Sequence, residues 1–112
     1  MSDCIFCKII DGNIPSEKVY EDEKIYVFKD IAPKAPVHLL MIPKLHIASL
    51  AEVEDQHQDL LGYMMRKVPQ IAHETGCEKG FRTIINTGDE GGQEVYHIHI
   101  HILGGGGRLP FA

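Results

Sequence analysis

The sequence lacks the features that mark a nucleic-acid-binding, secreted or membrane protein. Its 112 residues carry 11 lysines and arginines against 16 aspartates and glutamates, for a formal net charge of −5. Because no basic stripe is available to neutralise phosphates, we expect no nucleic-acid partner. No apolar run approaches the roughly 20 residues that a membrane helix requires, and the first residues, MSDCIFCKII, do not follow the signal-peptide pattern. We therefore expect a cytoplasmic protein without a membrane partner.

Cysteine is scarce, and its number is odd. Cys4, Cys7 and Cys77 make a poor disulfide framework. In a reducing cytosol, Cys4 and Cys7 are better explained as thiols or metal ligands, and the lone Cys77 as a small, half-buried apolar residue. A redox pair of the thioredoxin type needs a βαβ context, which this sequence does not offer.

The rest of the sequence predicts a single α+β domain over residues 1–112. A short helix, IFCKIIDG, precedes a hairpin with strands at residues 19–20 and 25–28, and the apolar run VHLLMIP predicts a central strand that ends at Pro43. A capping box at Ser49 and Glu52 introduces a long helix over residues 53–75, followed by the strands FRTIIN and VYHIHIHIL. This order favours a five-stranded, mostly antiparallel sheet with the helices on one side. Residues at three- and four-residue spacing mark the buried side of the long helix, namely Leu60, Leu61, Met64, Met65, Val68, Ile71 and Ala72.

The segment YHIHIHIL, residues 96–103, carries three histidines in alternation with isoleucines. In a strand, alternation places His97, His99 and His101 on one face and the isoleucines on the other, against the core. Thr, Lys or Glu would serve equally well on a solvent face, so the three histidines indicate chemistry. They could hold a metal ion through neutral imidazole nitrogens, or one of them could be a nucleophile that the others position.

These residues resemble a known family. The segments IFCKII, IPSEKVYED, FKDIAPKAPVHLLMIPKLHI and NTGDEGGQEVYHIHIHILGG resemble, in order, the histidine triad (HIT) superfamily over residues 5–105. The match is to its nucleotide-binding Hint branch, of the bacterial type with an N-terminal CxxC. The resemblance implies a homodimer with one continuous ten-stranded sheet. It also implies a hydrolase that cleaves purine nucleoside 5′-phosphoramidates or related nucleotidyl conjugates, such as AMP–amine, GMP–amine or aminoacyl-AMP, through a nucleotidyl-histidine intermediate.

The resemblance gives each matching residue a role. It makes His99 the nucleophile, with its ring held by the backbone carbonyl of His97. It places His101 and His38 at the α-phosphate, so that these four histidines are the expected catalytic residues. Asp30 matches the carboxylate that accepts hydrogen bonds from both ribose hydroxyls. The other expected nucleotide contacts are apolar walls around the base, at Ile5, Phe6, Phe28 and Ile31, and a phosphate-side loop, at Asn86, Gly92, Gln93 and Glu94.

Glu94 departs from the pattern of some family members, which carry there a serine hydroxyl that donates to the leaving group. A protonated Glu94 could donate in the same way, whereas an ionised one would repel the phosphate. Two alternatives therefore stay open. The chain could be a non-catalytic nucleotide-binding or regulatory module on the same fold, or a metalloenzyme that uses all three triad histidines as ligands.

The resemblance also implies a structural zinc ion. In superfamily members with CxxC near the start, the other two ligands are a histidine after the PK turn and the first triad histidine. In this chain the set would be Cys4, Cys7, His46 and His97. Two thiolates and two imidazoles make a closed tetrahedral site, so no catalytic metal is expected.

Overall fold

The computed structural model describes residues 3–110. The chain begins with a short helix, α1, and continues through three strands, a long helix, α2, and two more strands. Two short 3₁₀ turns, Leu50–Glu52 and Asp55–His57, precede α2. The bounds are α1 Ile5–Ile10, β1 Lys18–Glu21, β2 Ile25–Lys29, β3 Val37–Pro43, α2 Gln58–Glu74, β4 Phe81–Ile84 and β5 Ile100–Gly104.

The strands form one five-stranded sheet in the order β1-β2-β3-β5-β4, and every neighbouring pair is antiparallel. This confirms the predicted α+β class and the predicted sheet. The run VHLLMIP is a central strand, since β3 pairs with both β2 and β5. β5 therefore lies inside the sheet, and β4 forms one of its two edges.

The two helices cover opposite faces of the sheet, so the expectation of helices on one side is wrong. The apolar face of α2, including Met64 and Ile71, packs on the strand residues that point to one side, among them Leu39 and Met41. The face of α1 packs on the alternate residues, Tyr26, Phe28, Leu40 and Ile42. Strand alternation thus divides the core into two clusters, one under each helix.

The last strand is shorter than the alternation predicts. Only Ile100–Gly104 pairs with the sheet, so His97 and His99 lie in the irregular segment before β5, and the placement of all three histidines on one strand is wrong. The register explains this, because Met41 pairs with Ile100 and the next donor on β3 would come from Pro43, which has no N–H. The isoleucine alternation still holds, and Ile98, Ile100 and Ile102 are all buried.

Two other boundaries, and the burial of one residue, also differ from those expected. The Ser49 hydroxyl caps only the first 3₁₀ turn, by accepting from the N–H of Ala51 at 3.1 Å, and α2 begins at Gln58. β4 ends at Ile84 rather than at residue 86. Met65, expected on the buried side of α2, is 48% exposed.

Cys77 is buried in the cluster under α2. Within residues 3–110, no helix is both long enough and apolar enough to cross a bilayer.

Candidate functional site

His99 is held by one short hydrogen bond from the segment before β5. Its Nδ1 lies 2.7 Å from the backbone carbonyl oxygen of His97. Because a carbonyl only accepts, Nδ1 carries the hydrogen, and Nε2 of the neutral ring keeps a lone pair. Burial lowers the pKa of His99 below its ordinary value, and the hydrogen bond to His97 offsets only part of this. At neutral pH, His99 is therefore a free base with an unprotonated Nε2, as a nucleophilic imidazole requires.

A second linked group lies beside His99 and contains His101, His38 and Asp30. The rings of His99 and His101 are 5.1 Å apart. The backbone N–H of Lys34 donates to Nδ1 of His38 at 3.0 Å, so the hydrogen of His38 sits on Nε2. From there it reaches Nδ1 of His101 at 3.0 Å and Oδ2 of Asp30 at 3.3 Å. Since Nδ1 of His101 accepts, its hydrogen sits on Nε2 and is left to donate to a ligand.

Burial keeps this histidine group uncharged. It is the first cause of the lowered pKa of His101, which lies at about 4, and the nearby rings of His99 and His38 lower that pKa further against the opposing pull of Asp30. Burial also lowers the pKa of His38, although Asp30 acts against it. At neutral pH these rings act as neutral donors and acceptors in the order that their hydrogen bonds fix.

Four side chains that can ligate a metal ion, one of them His97 itself, come together near α1. Their donor atoms all lie within 4.8 Å of one another, and they belong to Cys4, Cys7, His46 and His97. Nδ1 of His97 is 3.3 Å from Sγ of Cys4, 3.6 Å from Sγ of Cys7 and 3.2 Å from Nδ1 of His46. Sγ of Cys7 is 3.5 Å from Nδ1 of His46. The structure therefore brings together all four residues of the expected metal set.

These distances fit a tetrahedral zinc ion. Zn–N bonds near 2.0 Å and Zn–S bonds near 2.3 Å separate the donors by about 3.3–3.8 Å. The Nε2 of His97 donates to the carbonyl oxygen of Pro43 at 2.7 Å, so its lone pair is on Nδ1 and faces the thiols. Burial outweighs that hydrogen bond and, with the nearby rings of His46 and His99, lowers the pKa of His97 to about 4. The ring is thus neutral and ready to ligate.

Asp30, His38 and His101 also bring possible ligand atoms together, but their hydrogen bonds oppose a metal ion. A ligating histidine donates through its other nitrogen to an acceptor, as His97 does to Pro43. In His38 the other nitrogen accepts from a backbone N–H instead, so the nitrogen that faces the cluster carries a hydrogen. The three triad histidines are likewise not arranged to share one metal ion, because each ring has a different hydrogen-bond partner.

The expected phosphate-side loop is organised by its own side chains. Asn86 donates from Nδ2 to the carbonyl oxygen of Gly91 at 2.8 Å. The buried Gln93 donates to the carbonyl oxygens of Ala48 and Val95 at 2.8 and 3.0 Å. Its Oε1 accepts from a backbone N–H at residue 88, 2.9 Å away. The side chain of Gln93 is therefore occupied in holding the loop, and the exposed side chain of Glu94 is the one that faces outward.

The four apolar residues expected around the base form two pairs. Phe6 and Phe28 are buried between α1 and the sheet, with ring centroids 5.6 Å apart. Ile5 is 50% exposed and Ile31 is 98% exposed. The isoleucines are accessible to a ligand, whereas the phenylalanines lie beneath. Phe6 also meets the ring of His99 edge-on at 5.1 Å.

Two cavities open on the described surface. One of about 450 Å³ is lined by Glu94 and Ile5, together with Asp3, Cys4, His46, Val95 and Tyr96. The other, of about 700 Å³, lies between residues 76–82 and 103–109, and no triad histidine lines it. The smaller cavity adjoins the metal-ligating group, because Cys4 and His46 line it, and no triad histidine lines it either.

Sequence reasoning missed two backbone groups that fix the tautomers of the site, the N–H of Lys34 and the carbonyl of Pro43. Nothing in the sequence marks Lys34. Pro43 carried a signal, since a proline that ends an inner strand interrupts the ladder there and leaves neighbouring groups to other partners.

Known proteins similar to this chain form a consistent set. The family model described as "Scavenger mRNA decapping enzyme C-term binding" matches residues 3–109. Protein HitA of Neisseria gonorrhoeae is 59% identical over 104 residues, which cover 93% of this chain and 97% of HitA. The 14 kDa zinc-binding protein of Zea mays is 49% identical over 106 residues, which cover 93% of this chain and 83% of the maize protein.

A solved structure agrees with these matches over the whole fold. The crystal structure of a HIT family hydrolase from Legionella pneumophila Philadelphia 1 has a TM-score of 0.89 to this chain at 47% identity. The match covers 96% of this chain and 95% of the Legionella chain.

Proposed function

Because the chain belongs to the histidine triad superfamily, we propose that it is a purine nucleotide-binding hydrolase of nucleoside 5′-phosphoramidates and related AMP or GMP conjugates. The reaction runs through a nucleotidyl-histidine. The observation that carries the proposal is the hydrogen bond from Nδ1 of His99 to the carbonyl of His97, which leaves Nε2 free to attack.

The chemistry is a pair of displacements at phosphorus. Nε2 of His99 forms a bond to the α-phosphorus, the phosphorus–nitrogen bond breaks, and the leaving amine takes up a proton. Water then attacks the same phosphorus, the His99–phosphorus bond breaks, and the nucleoside monophosphate leaves. Covalent catalysis of this kind replaces one difficult step by two easier ones.

His101 and His38 stabilise the charge that develops on the phosphoryl oxygens. The relay from the N–H of Lys34 through His38 leaves Nε2–H of His101 as the donor at the end of the chain. A donor fixed before the reaction costs no reorganisation when charge develops. We place Asp30 at the ribose, where its two oxygens accept from the vicinal hydroxyls.

The rest of the nucleotide site follows the expected set. Ile5 and Ile31 cover the base, with Phe6 and Phe28 beneath them. The loop that contains Asn86, Gly92, Gln93 and Glu94 borders the phosphates. In this arrangement Asn86 and Gln93 act by holding the loop, which agrees with their side-chain bonds to backbone carbonyls.

We also propose that Cys4, Cys7, His46 and His97 hold a zinc ion. A closed four-ligand site supplies a cross-link between α1 and the segment before β5, with no open position for a substrate. The donor distances and the Nε2–H of His97 bonded to Pro43 support this assignment. The working form is proposed to be a cytoplasmic homodimer.

Glu94 favours a second candidate function, a nucleotide-binding module without turnover. Its exposed side chain belongs to the loop that we place beside the phosphates, where an ionised acid would repel a phosphate and could not protonate a leaving amine. The two candidates differ in one observable, because a module binds AMP and leaves phosphoramidates intact.

The first prediction tests these alternatives by mass spectrometry after incubation with an adenosine 5′-phosphoramidate. Wild type should release AMP, whereas His99→Ala should lose at least about a thousandfold in rate because no nucleophile remains. His99→Ala should still bind AMP, as a control for folding. Undiminished turnover by His99→Ala would exclude the proposed nucleophile, and AMP binding without turnover by wild type would favour the module.

A further inference from the structure

The ring of Phe6 connects the metal-ligating group to the nucleophile. Phe6 lies between Cys4 and Cys7 in sequence and is only 5% exposed. Its ring centroid is 5.9 Å from that of His97, and it meets the ring of His99 edge-on at 5.1 Å and 90°. The turn of chain that presents the two thiols therefore also packs directly against the attacking ring.

His97 also connects the metal-ligating group to His99, through its two ring nitrogens and its backbone carbonyl. Its Nδ1 faces the thiols, its Nε2 donates to the carbonyl of Pro43, and its own carbonyl accepts from Nδ1 of His99 at 2.7 Å. The ligand to the metal group and the acceptor that fixes the nucleophile's tautomer thus belong to one fully buried residue. A movement of His97 at one end changes the hydrogen bond at the other.

We propose that the four-donor site positions the nucleophile. With a metal ion on Cys4, Cys7 and the two histidines, the Phe6 ring and the His97 carbonyl hold His99 in its attacking orientation. Without the ion, both contacts loosen. Phe6 and His97 are then positioning residues, and the site does more than add stability. This inference rests on the proposed function, in which His99 attacks phosphorus.

The physical reason is that the hydrogen bonds within the four-donor site are weak by themselves. Without a metal ion, the thiols of Cys4 and Cys7 are only weak hydrogen-bond donors to imidazole nitrogens. The six-residue α1 that carries Phe6 is too short to be stable by itself and depends on what anchors it. Small displacements matter at this position, because a misplacement of about 1 Å at a reacting group can cost roughly a hundredfold in rate.

The second prediction separates positioning from stability with two variants of the same helix. Phe6→Leu keeps all four metal ligands and an apolar side chain but removes the aromatic edge from His99. Ile9→Ala is the matched control, because Ile9 is buried in the same cluster on the same helix and its aliphatic side chain has no aromatic edge. For the zinc-loaded proteins, kcat on the phosphoramidate should fall roughly ten- to a hundredfold in Phe6→Leu with KM within about twofold. Ile9→Ala should lower Tm and leave kcat unchanged.

A readout independent of turnover is the ¹⁵N spectrum of the His99 imidazole, assigned by its loss in His99→Asn. In the zinc-loaded protein, His99 should show one tautomer with the hydrogen on Nδ1. After chelation it should show averaged tautomers, and Zn²⁺ alone should restore the first spectrum. An unchanged His99 spectrum, equal kcat in Phe6→Leu and Ile9→Ala, or failure to bind zinc would overturn the inference. If wild type does not cleave the substrate, the proposed function fails while the spectra still decide whether the site positions His99.

Discussion

Backbone groups decide which ring nitrogen carries the hydrogen in His38, His97 and His99. His97 meets a carbonyl with Nε2 and is left with a lone pair for a metal ion. His38 meets an N–H with Nδ1 and is left with a donor. Since neutral imidazole carries one hydrogen, each backbone contact decides what the opposite nitrogen can do. Residues of the same type thereby present different atoms to a ligand, namely a lone pair on Nδ1 of His97, an N–H on Nε2 of His38 and a lone pair on Nε2 of His99.

The same dependence on local partners applies to Asp22 in the turn between β1 and β2, and it yields the third prediction. Partial burial raises the pKa of Asp22, but hydrogen bonds from Tyr63, from the N–H groups of Lys24 and Ile25 and from Tyr20 outweigh it and lower the pKa from 3.8 to about 2. A carboxylate with a lowered folded pKa contributes stability above its unfolded pKa, and that stability is lost as pH falls through the folded value.

The free energy of unfolding should therefore decrease between about pH 4 and pH 2, by on the order of 1 kcal/mol more in wild type than in Asp22→Asn, because solvent screens part of the effect. Urea denaturation across this pH range measures it. Tyr63→Phe removes one donor to Asp22 and should move the loss of stability to higher pH. Parallel pH profiles for wild type and Asp22→Asn would show that the hydrogen bonds around Asp22 contribute nothing.

At the scale of elements and loops, the loop between β4 and β5 has a backbone conformation that requires glycine at residue 91. A Cβ on Gly91 would lie 2.3 Å from the backbone oxygen of Thr87 and 2.9 Å from its nitrogen. Neither atom can move without moving the loop, because Asn86 is bonded to the carbonyl of Gly91 itself. A Cβ on Gly62, inside α2, would meet nothing within 4 Å.

The fourth prediction compares these two glycines. Gly91→Ala should destabilise the protein by about 1–3 kcal/mol, since it forces backbone atoms apart. Gly62→Ala should stabilise it by about 0.5–1 kcal/mol, since alanine favours a helix over glycine. Urea denaturation of both variants at pH 7 measures the difference. Equal effects of the two substitutions would mean that the loop shifts freely around residue 91.

The elements also show what could be predicted from the sequence. Alternation and periodicity are local properties, so the strands, their antiparallel pairing and most of the buried stripe of α2 could be predicted from them. The start of β5 did not follow, because it depends on Pro43 across the sheet, and neither did the opposite placement of α1, because a six-residue helix carries no signal for the face that it covers. The histidines and cysteines of the site were identified by residue type and family pattern. Their tautomers were not, because Lys34 contributes only a backbone N–H that any residue could supply, and the proline signal at residue 43 does not tell which ring bonds to its carbonyl.

For the whole molecule, strand alternation separates two surfaces. One face of the sheet carries His38 and His101 with α1 above it, and the other packs on α2. In the β4–β5 register, Phe81 pairs with Gly104 and therefore points to the α2 side. His38 and His101 thus lie on the α1 face, whereas the exposed Phe81 lies on the α2 face of the edge strand β4.

The last prediction concerns that edge. Within residues 3–110, β4 pairs only with β5, and an open strand edge is a site where another chain can add to the sheet. Phe81 is 41% exposed at the start of β4, and Met65 is 48% exposed on α2. Two copies joined through β4 by a two-fold axis would form a ten-stranded sheet and bury both residues.

We therefore expect a dimer by analytical ultracentrifugation, with a Tm that rises with protein concentration. Phe81→Lys with Met65→Lys should shift the protein to a monomer, whereas Leu45→Lys, an exposed position outside β4 and α2, should not. A wild-type protein that sediments as a monomer at all concentrations would rule out this assembly.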